Sequence, residues 1–469
     1  MHAKRNSAAV YVQLILFVAL GLTGMSNPSH ATNVATYKIK VSQNLRTLDV
    51  SVTPSPGYTL SRLRPLSRNA WSRLNKNSLR GLAIRRSGLV VATEADSYHY
   101  SVDIGGGFNR RSFGNFLAGN KTRMTDSREW FWVPDDWQGN ETISVEFDIP
   151  DGLSVSAPWE PISNNTEAPD ASGHFLARPV MLYRRSAVLF GRLQLTQLEL
   201  PGGMLNVAVA TKNPEITNRY VAWTKRIADA AVQEFGHLPA TSTQVVVMPT
   251  WSAGGSVPWG EVRRGNGSGV VLVPNTRATM TELIEDWTFY HEFAHLFHPF
   301  LGSKGRWIAE GFASYYQNIL RARAGVITAD YAWERMVAGF ARGEEQTRKG
   351  RTVVNGGLMR TYWTGAVMAL ELDIELRKRR GMTLGNVLGE FSACCLPASR
   401  TWRPRRFMQK LDEISDTKLF TKTYREYSSA MDFPDYSDLL HTLDIRNSAG
   451  SLAYGKSALR DSIMHDSRS

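Results

Sequence analysis

The run Tyr290-His291-Glu292-Phe293-Ala294-His295 is followed, after eleven residues, by Trp307-Ile308-Ala309-Glu310-Gly311-Phe312-Ala313. Positions four apart share one face of a helix, so His291 and His295 can offer imidazole nitrogens to one metal ion while Glu292 stands beside it. Glu310, from a following helix, would close a three-ligand set. Three protein ligands leave a fourth position for water, and a zinc ion so held lowers that water's pKa to about 7. Glu292 is then placed to take the water's proton. The chemistry expected of these residues is hydrolysis by a single Zn2+ ion with a carboxylate general base.

The first element that must position them is a helix. Thr279-Met280-Thr281-Glu282 reads as a capping box, and Leu283, Trp287, Tyr290, Ala294 and Phe297 follow at helical spacing. Pro299 stops the pattern, so the spacing predicts one helix with His291 and His295 in its last two turns. His298 lies seven residues after His291, nearly two turns on, and could compete as a ligand. The reading preferred for it is a position behind the ligands or at the helix end. A third histidine six residues after His295, as in HExxHxxGxxH, is excluded because Leu301 stands there.

The rest of the chain frames this site. Its 469 residues are enough for two or three domains, and 42% hydrophobic with 21% charged residues describes an ordinary globular protein. Lys4 and Arg5, the apolar run Val10 to Leu22 and Ser29-His30-Ala31 read as a signal peptide cut after Ala31, which predicts a periplasmic or secreted protein. The formal charge of +12 is scattered, so nucleic acid is not expected as a partner, while attraction to an anionic cell envelope stays open. Cys394 and Cys395 are the only cysteines, which excludes a disulfide framework. Two buried thiols are the preferred reading of that pair, with a redox-labile pair as the alternative.

From Thr36 to about Pro201 short alternating runs such as Tyr37 to Val41 and Ile143 to Phe147 predict an antiparallel β domain. After Pro201-Gly202-Gly203 the pattern changes. Asn213 as cap, Pro214 and Glu215 open a helix ending before Gly236, and Val245 to Met248 forms a buried strand. The loop Gly265 to Gly269 leads into Val270 to Val273, a strand that would line the cleft as an exposed edge or sit centrally. Helices follow, one from Tyr362 to Arg380 ending at Gly381 and a helical segment from about Phe407 to Leu443. The tail from Asn447 to Ser469, rich in serine and charge, is expected to be mobile.

Several blocks now resemble a known group: Tyr290 to His295, Arg306 to Tyr316, Arg321 to Val326, and Thr361-Tyr362-Trp363-Thr364-Gly365-Ala366. They are similar to the gluzincin metallopeptidases of the glycyl aminopeptidase family, relatives of aminopeptidase N, over roughly Asn213 to Asp444. The resemblance implies that Glu310 is the third zinc ligand and that Tyr362 stabilises the oxyanion, a sensible role for a phenol aimed at developing charge. It also implies a peptide or protein substrate.

The chain departs from that pattern in three places. The segment corresponding to the acidic one that holds a substrate's amino end in those relatives is Gly265 to Gly269, which has no acid, with Glu261 nearby in an unsupported register. Exopeptidase action is therefore in doubt. The C-terminal PDZ module usual in that family is not expected here, and Ser314 stands where an aspartate would orient a zinc histidine, so the partner must come from elsewhere.

The expected fold class is α+β and multidomain, an N-terminal antiparallel β domain followed by a thermolysin-like, mainly helical catalytic domain. Its expected boundaries are 1–31 signal peptide, 32–203 β domain, 204–381 catalytic domain, 382–446 C-terminal helical segment and 447–469 tail. The expected function is an exported zinc metallopeptidase. A zinc hydrolase of non-peptide substrates and a catalytically silent envelope binding protein are the other readings.

Overall fold

The computed structural model describes residues 32–105, 116–118, 122–162, 173–251, 254–348, 350–448 and 451–465. The expected signal peptide lies outside the described residues, and among these no helix is long and apolar enough to cross a membrane. Thr32 to Ser469 forms one compact unit, with β structure first and helices after.

The N-terminal part is built on a seven-stranded sheet. Its order is Glu160–Pro161, His174–Ala177, Thr142–Asp148, Asn33–Val41, Thr47–Pro54, Tyr98–Asp103 and Leu74–Arg80. Two four-stranded sheets share its core, which is dense in aromatic residues: Trp130, Phe131, Trp132 and Trp159 are all essentially inaccessible. One pair departs from the antiparallel expectation, because Asn33–Val41 runs parallel to Thr142–Asp148. Both strands are interior and alternate buried with open positions. That alternation fixes which face is buried and says nothing of strand direction.

A second sheet of five strands supports the site, in the order Gln194–Leu200, Gly203–Val209, Ser242–Val247, Gly269–Val273 and Trp259–Arg263. One expectation needs correction here, and one open alternative is decided in favour of a central strand. The first strand was assigned to the β domain, with a boundary at 203, but it pairs as a hairpin with Gly203–Val209 and belongs to the second sheet. Gly269–Val273 is internal, flanked on both sides, and the edge is Trp259–Arg263. An all-buried apolar run suits a central strand better than an edge.

The helix Pro214–Phe235 packs beneath this sheet through Tyr220, Trp223 and Ile227. Asn213 caps it by accepting from the Glu215 and Ile216 amides, and Gly236 ends it with φ of 93°. One continuous core runs from the sheet through every later helix to Met464, so the expected C-terminal helical segment is not a separate body.

The tail is the clearest correction. Ile445–Ser448 and Ser451–Tyr454 form a hairpin, and Ala458–Met464 is a helix. Ile463 and Met464 are buried in the main core, while Arg377 donates to the Ser462 carbonyl at 3.0 Å and Arg323 to that of Ile463 at 2.9 Å. Burying two such side chains is worth about 2 kcal/mol each, enough to dock a short helix of otherwise polar composition. Cys394 and Cys395 also differ from expectation. They are bonded to each other at the end of the helix Leu384–Cys395, where Cys394 is exposed and Cys395 half-buried, because that helix end reaches the surface.

Candidate active site

The expected single helix is two. Thr279 and Glu282 form the capping box of Met280–Glu285, which ends at Asp286 in extended conformation. Asp286 Oδ1 then accepts from the Thr288 amide at 2.7 Å and starts Thr288–Ala294, a helix that closes in a 3-10 turn over His295–Phe297. His291 and His295 still present Nε2 to one point.

Glu310 reaches that point from Arg306–Arg323. Its Oε2 lies 3.3 Å from His291 Nε2 and 3.5 Å from His295 Nε2. In a tetrahedral site with ligand bonds of about 2.0–2.1 Å, donor atoms stand about 3.3 Å apart, so these spacings fit one small ion such as zinc. The electrostatics agree. Burial works against charge on both groups, yet the carboxylates beside His291 hold its imidazole above its ordinary value. Burial likewise opposes the Glu310 charge, but the two histidines hold its carboxyl well below the usual range. A place that favours a proton on imidazole through nearby negative charge also favours a metal cation.

The outer nitrogens fix the tautomers. His291 Nδ1 stands 2.9 Å from Gln317 Oε1, which can only accept, so Nδ1 carries the proton and Nε2 keeps its lone pair. His298 Nδ1 faces the Pro299 carbonyl at 3.0 Å and must donate, which leaves its Nε2 to accept from His295 Nδ1 at 2.9 Å. Burial and the neighbouring His295 and Arg264 push His298 well below its ordinary value, keeping it neutral for that task. His298 therefore stands behind His295 and not among the converging ligand atoms. Gln317 escaped the sequence reading, which looked only at Ser314; seven residues beyond Glu310, it returns to the same helix face.

Glu292 is anchored by the edge strand. Its Oε2 accepts from the Val262 amide at 2.9 Å, so Val262 and, two residues away, Gly260 turn backbone groups outward from the sheet. A Cβ on Gly260 would stand 2.9 Å from Glu292 Cγ and from Thr288 Cγ2, so glycine permits this approach of strand and helix. The expected cleft segment, Gly265 to Gly269, was misplaced. Gly265 and Asn266 instead donate to the Arg185 and Val180 carbonyls, both at 2.8 Å, and pack against the β part. The strand lining the cavity is Trp259–Arg263, and it does carry an acid, Glu261, paired with Arg263 at 3.0 Å.

Tyr362 opens the cavity's other wall from Leu358–Arg380, its ring stacked on His291 with centroids 5.8 Å apart. Burial and the Glu310 carboxylate raise its phenol, which stays protonated and able to donate. The cavity measures about 430 Å³ and is lined by Glu292, His295, Glu310 and Tyr362 together with Arg184, Arg264 and Arg306.

Residues 301–363, which hold Glu310 and Tyr362, match the family model of M61 glycyl aminopeptidases. The chain is a metallopeptidase-type hydrolase resembling the glycyl aminopeptidases. His291 to His295 lie outside the matched segment. Solved structures share the fold. An aminopeptidase N family protein from Idiomarina loihiensis aligns over 88% of this chain and 78% of its own, with a TM-score of 0.60 and 15% identity. A mutant M1 zinc metallopeptidase from Deinococcus radiodurans, bound to a Tyr-Ser-Ala substrate, aligns over 86% and 95%, with a TM-score of 0.52 and 13% identity. Native yeast LTA4 hydrolase aligns over 88% and 70%, with a TM-score of 0.50 and 10% identity. No curated protein matches the chain in sequence.

Proposed function

We propose that the protein is an exported peptidase that uses one zinc ion, held by His291, His295 and Glu310, to cleave peptide bonds. The observation that carries this reading is the convergence of those three donor atoms beside a carboxylate fixed by the edge strand. When bound, zinc supplies Lewis-acid chemistry, polarising a peptide carbonyl and acidifying water at neutral pH.

The chain's own residues perform the remaining work. Glu292 keeps one oxygen on the Val262 amide and uses Oε1 to take a proton from the attacking water. It then gives that proton to the leaving nitrogen. The Tyr362 hydroxyl donates to the carbonyl oxygen as it gains charge, an interaction stronger in the transition state than in the substrate. With the Val262 amide held by Glu292, the outward Gly260 amide and the Val262 carbonyl offer an extended peptide the hydrogen bonds of strand addition.

Export rests on Lys4, Arg5 and the apolar run that ends before Ser29-His30-Ala31. The test is digestion of a peptide library by purified, zinc-loaded mature protein. Cleavage that a chelator abolishes and zinc restores supports the reading. No cleavage of any member contradicts it.

A further inference from the structure

An enzyme that anchors a substrate's free amine needs a carboxylate with spare acceptor capacity in its cleft. The cavity beside the ligand set has three acids, Glu261, Glu292 and Glu310, and the last two are engaged by the chemistry. Glu261 is engaged as well, by Arg263 at 3.0 Å and more loosely by Arg185 at 3.9 Å.

Of the three arginines in the same cavity, Arg306 pairs with Glu310 at 3.5 Å, but Arg184 and Arg264 are in the opposite condition. The Arg184 guanidinium sits over the Phe300 ring, 3.7 Å from its centroid, and makes no ion pair or hydrogen bond among the described residues. Arg264 uses Nη2 on the carbonyls of His295 and His298, and its Nε and Nη1 have no protein acceptor among the described residues. Both are half-buried, and neither has a carboxylate within ion-pair distance among those residues. Arg184 and Arg264 line the same cavity. Two like charges held together on a cavity wall are costly unless an anion joins them. Planar guanidinium forks match a carboxylate well, and Phe300 orients one of them.

We propose that Arg184 and Arg264 form a carboxylate-binding subsite beside the metal site, so that the protein selects peptides bearing an acidic side chain or a free C-terminal carboxylate near the cleaved bond. This rests on the peptidase reading for its substrate class, but its test does not depend on turnover.

The experiment measures calorimetric binding to the zinc-loaded, full-length Glu292→Gln protein of one acetylated peptide in three forms. One has a free C-terminus and neutral side chains, one is amidated with a glutamate, and one is amidated with glutamine in its place. At least one carboxylate form should bind about tenfold or more tighter than the neutral amide, as a charge-assisted hydrogen-bonded pair implies. Which form it is separates terminus from side chain. Arg184→Gln, which removes no hydrogen bond within the protein, should bring the ratio to near one. Equal binding of all three peptides, or no binding of any, overturns the subsite, as does a preference that survives Arg184→Gln. The unsubstituted enzyme separates the two claims. Cleavage of the neutral peptide as fast as the acidic ones removes the subsite and leaves the peptidase. Selective binding of the acidic forms with no cleavage of any peptide leaves the subsite and removes the peptidase.

Discussion

Gly311 and Gly365 meet backbone to backbone where the helices Arg306–Arg323 and Leu358–Arg380 cross. A Cβ on either would overlap the other glycine's backbone, and one on Gly365 would also overlap the Trp307 carbonyl oxygen. Glu310 precedes the first glycine and Tyr362 is one turn before the second, so this crossing sets the distance between the third ligand and the phenol.

Gly365→Ala tests that relationship. In an ordinary helix interior alanine would stabilise by about 0.5–1 kcal/mol, but here overpacking of about 1–3 kcal/mol or more should win. The variant should melt at a lower temperature than the parent. An unchanged or raised Tm would show that the helices can part freely.

Gln317→Ala leaves the His291 Nδ1–H buried without its acceptor. Zinc affinity, measured by competition with a chromogenic chelator, should fall about 10–100-fold, while Gln317→Glu, which keeps an acceptor, should hold it. Equal affinity in the alanine variant would remove Gln317 from the account.

Tyr362→Phe keeps the ring on His291 and deletes only the donor. Steady-state kinetics should show kcat lowered by about 10²–10³ with full metal content. Parental kcat would mean that the oxyanion is stabilised elsewhere.

Glu371 gives a pH signature away from the metal. Burial holds its carboxyl above the ordinary value, although the Tyr427 hydroxyl donates to it at 2.5 Å. Its contribution to stability is thus fully present below the unfolded pKa of about 4.3 and is lost as pH rises through the higher folded value. Glu371→Gln has no proton to lose and so gains no buried charge, and its Tm relative to the parent should rise between pH 4 and 7. A difference independent of pH would contradict the assignment.

Much of this was legible in the chain. The histidine spacing, the capping box at Thr279 and the caps of Pro214–Phe235 are local signals, and local signals survive folding. What was lost depends on residues distant in sequence. The break at Asp286 was hidden because apolar spacing continues across it. The edge role of Trp259–Arg263 follows from sheet order, which periodicity does not encode. The tail was misread because Ile463 and Met464 are few in number, although their burial and the arginine contacts to neighbouring carbonyls decide its placement.

The central claim is that Glu292 moves the proton while His291, His295 and Glu310 hold the metal. Its most direct test is Glu292→Gln, read by metal analysis and peptide hydrolysis on the same sample. Zinc content should stay full while hydrolysis falls by about 10²–10⁴ or more. Turnover at the parental rate with zinc in place would contradict it.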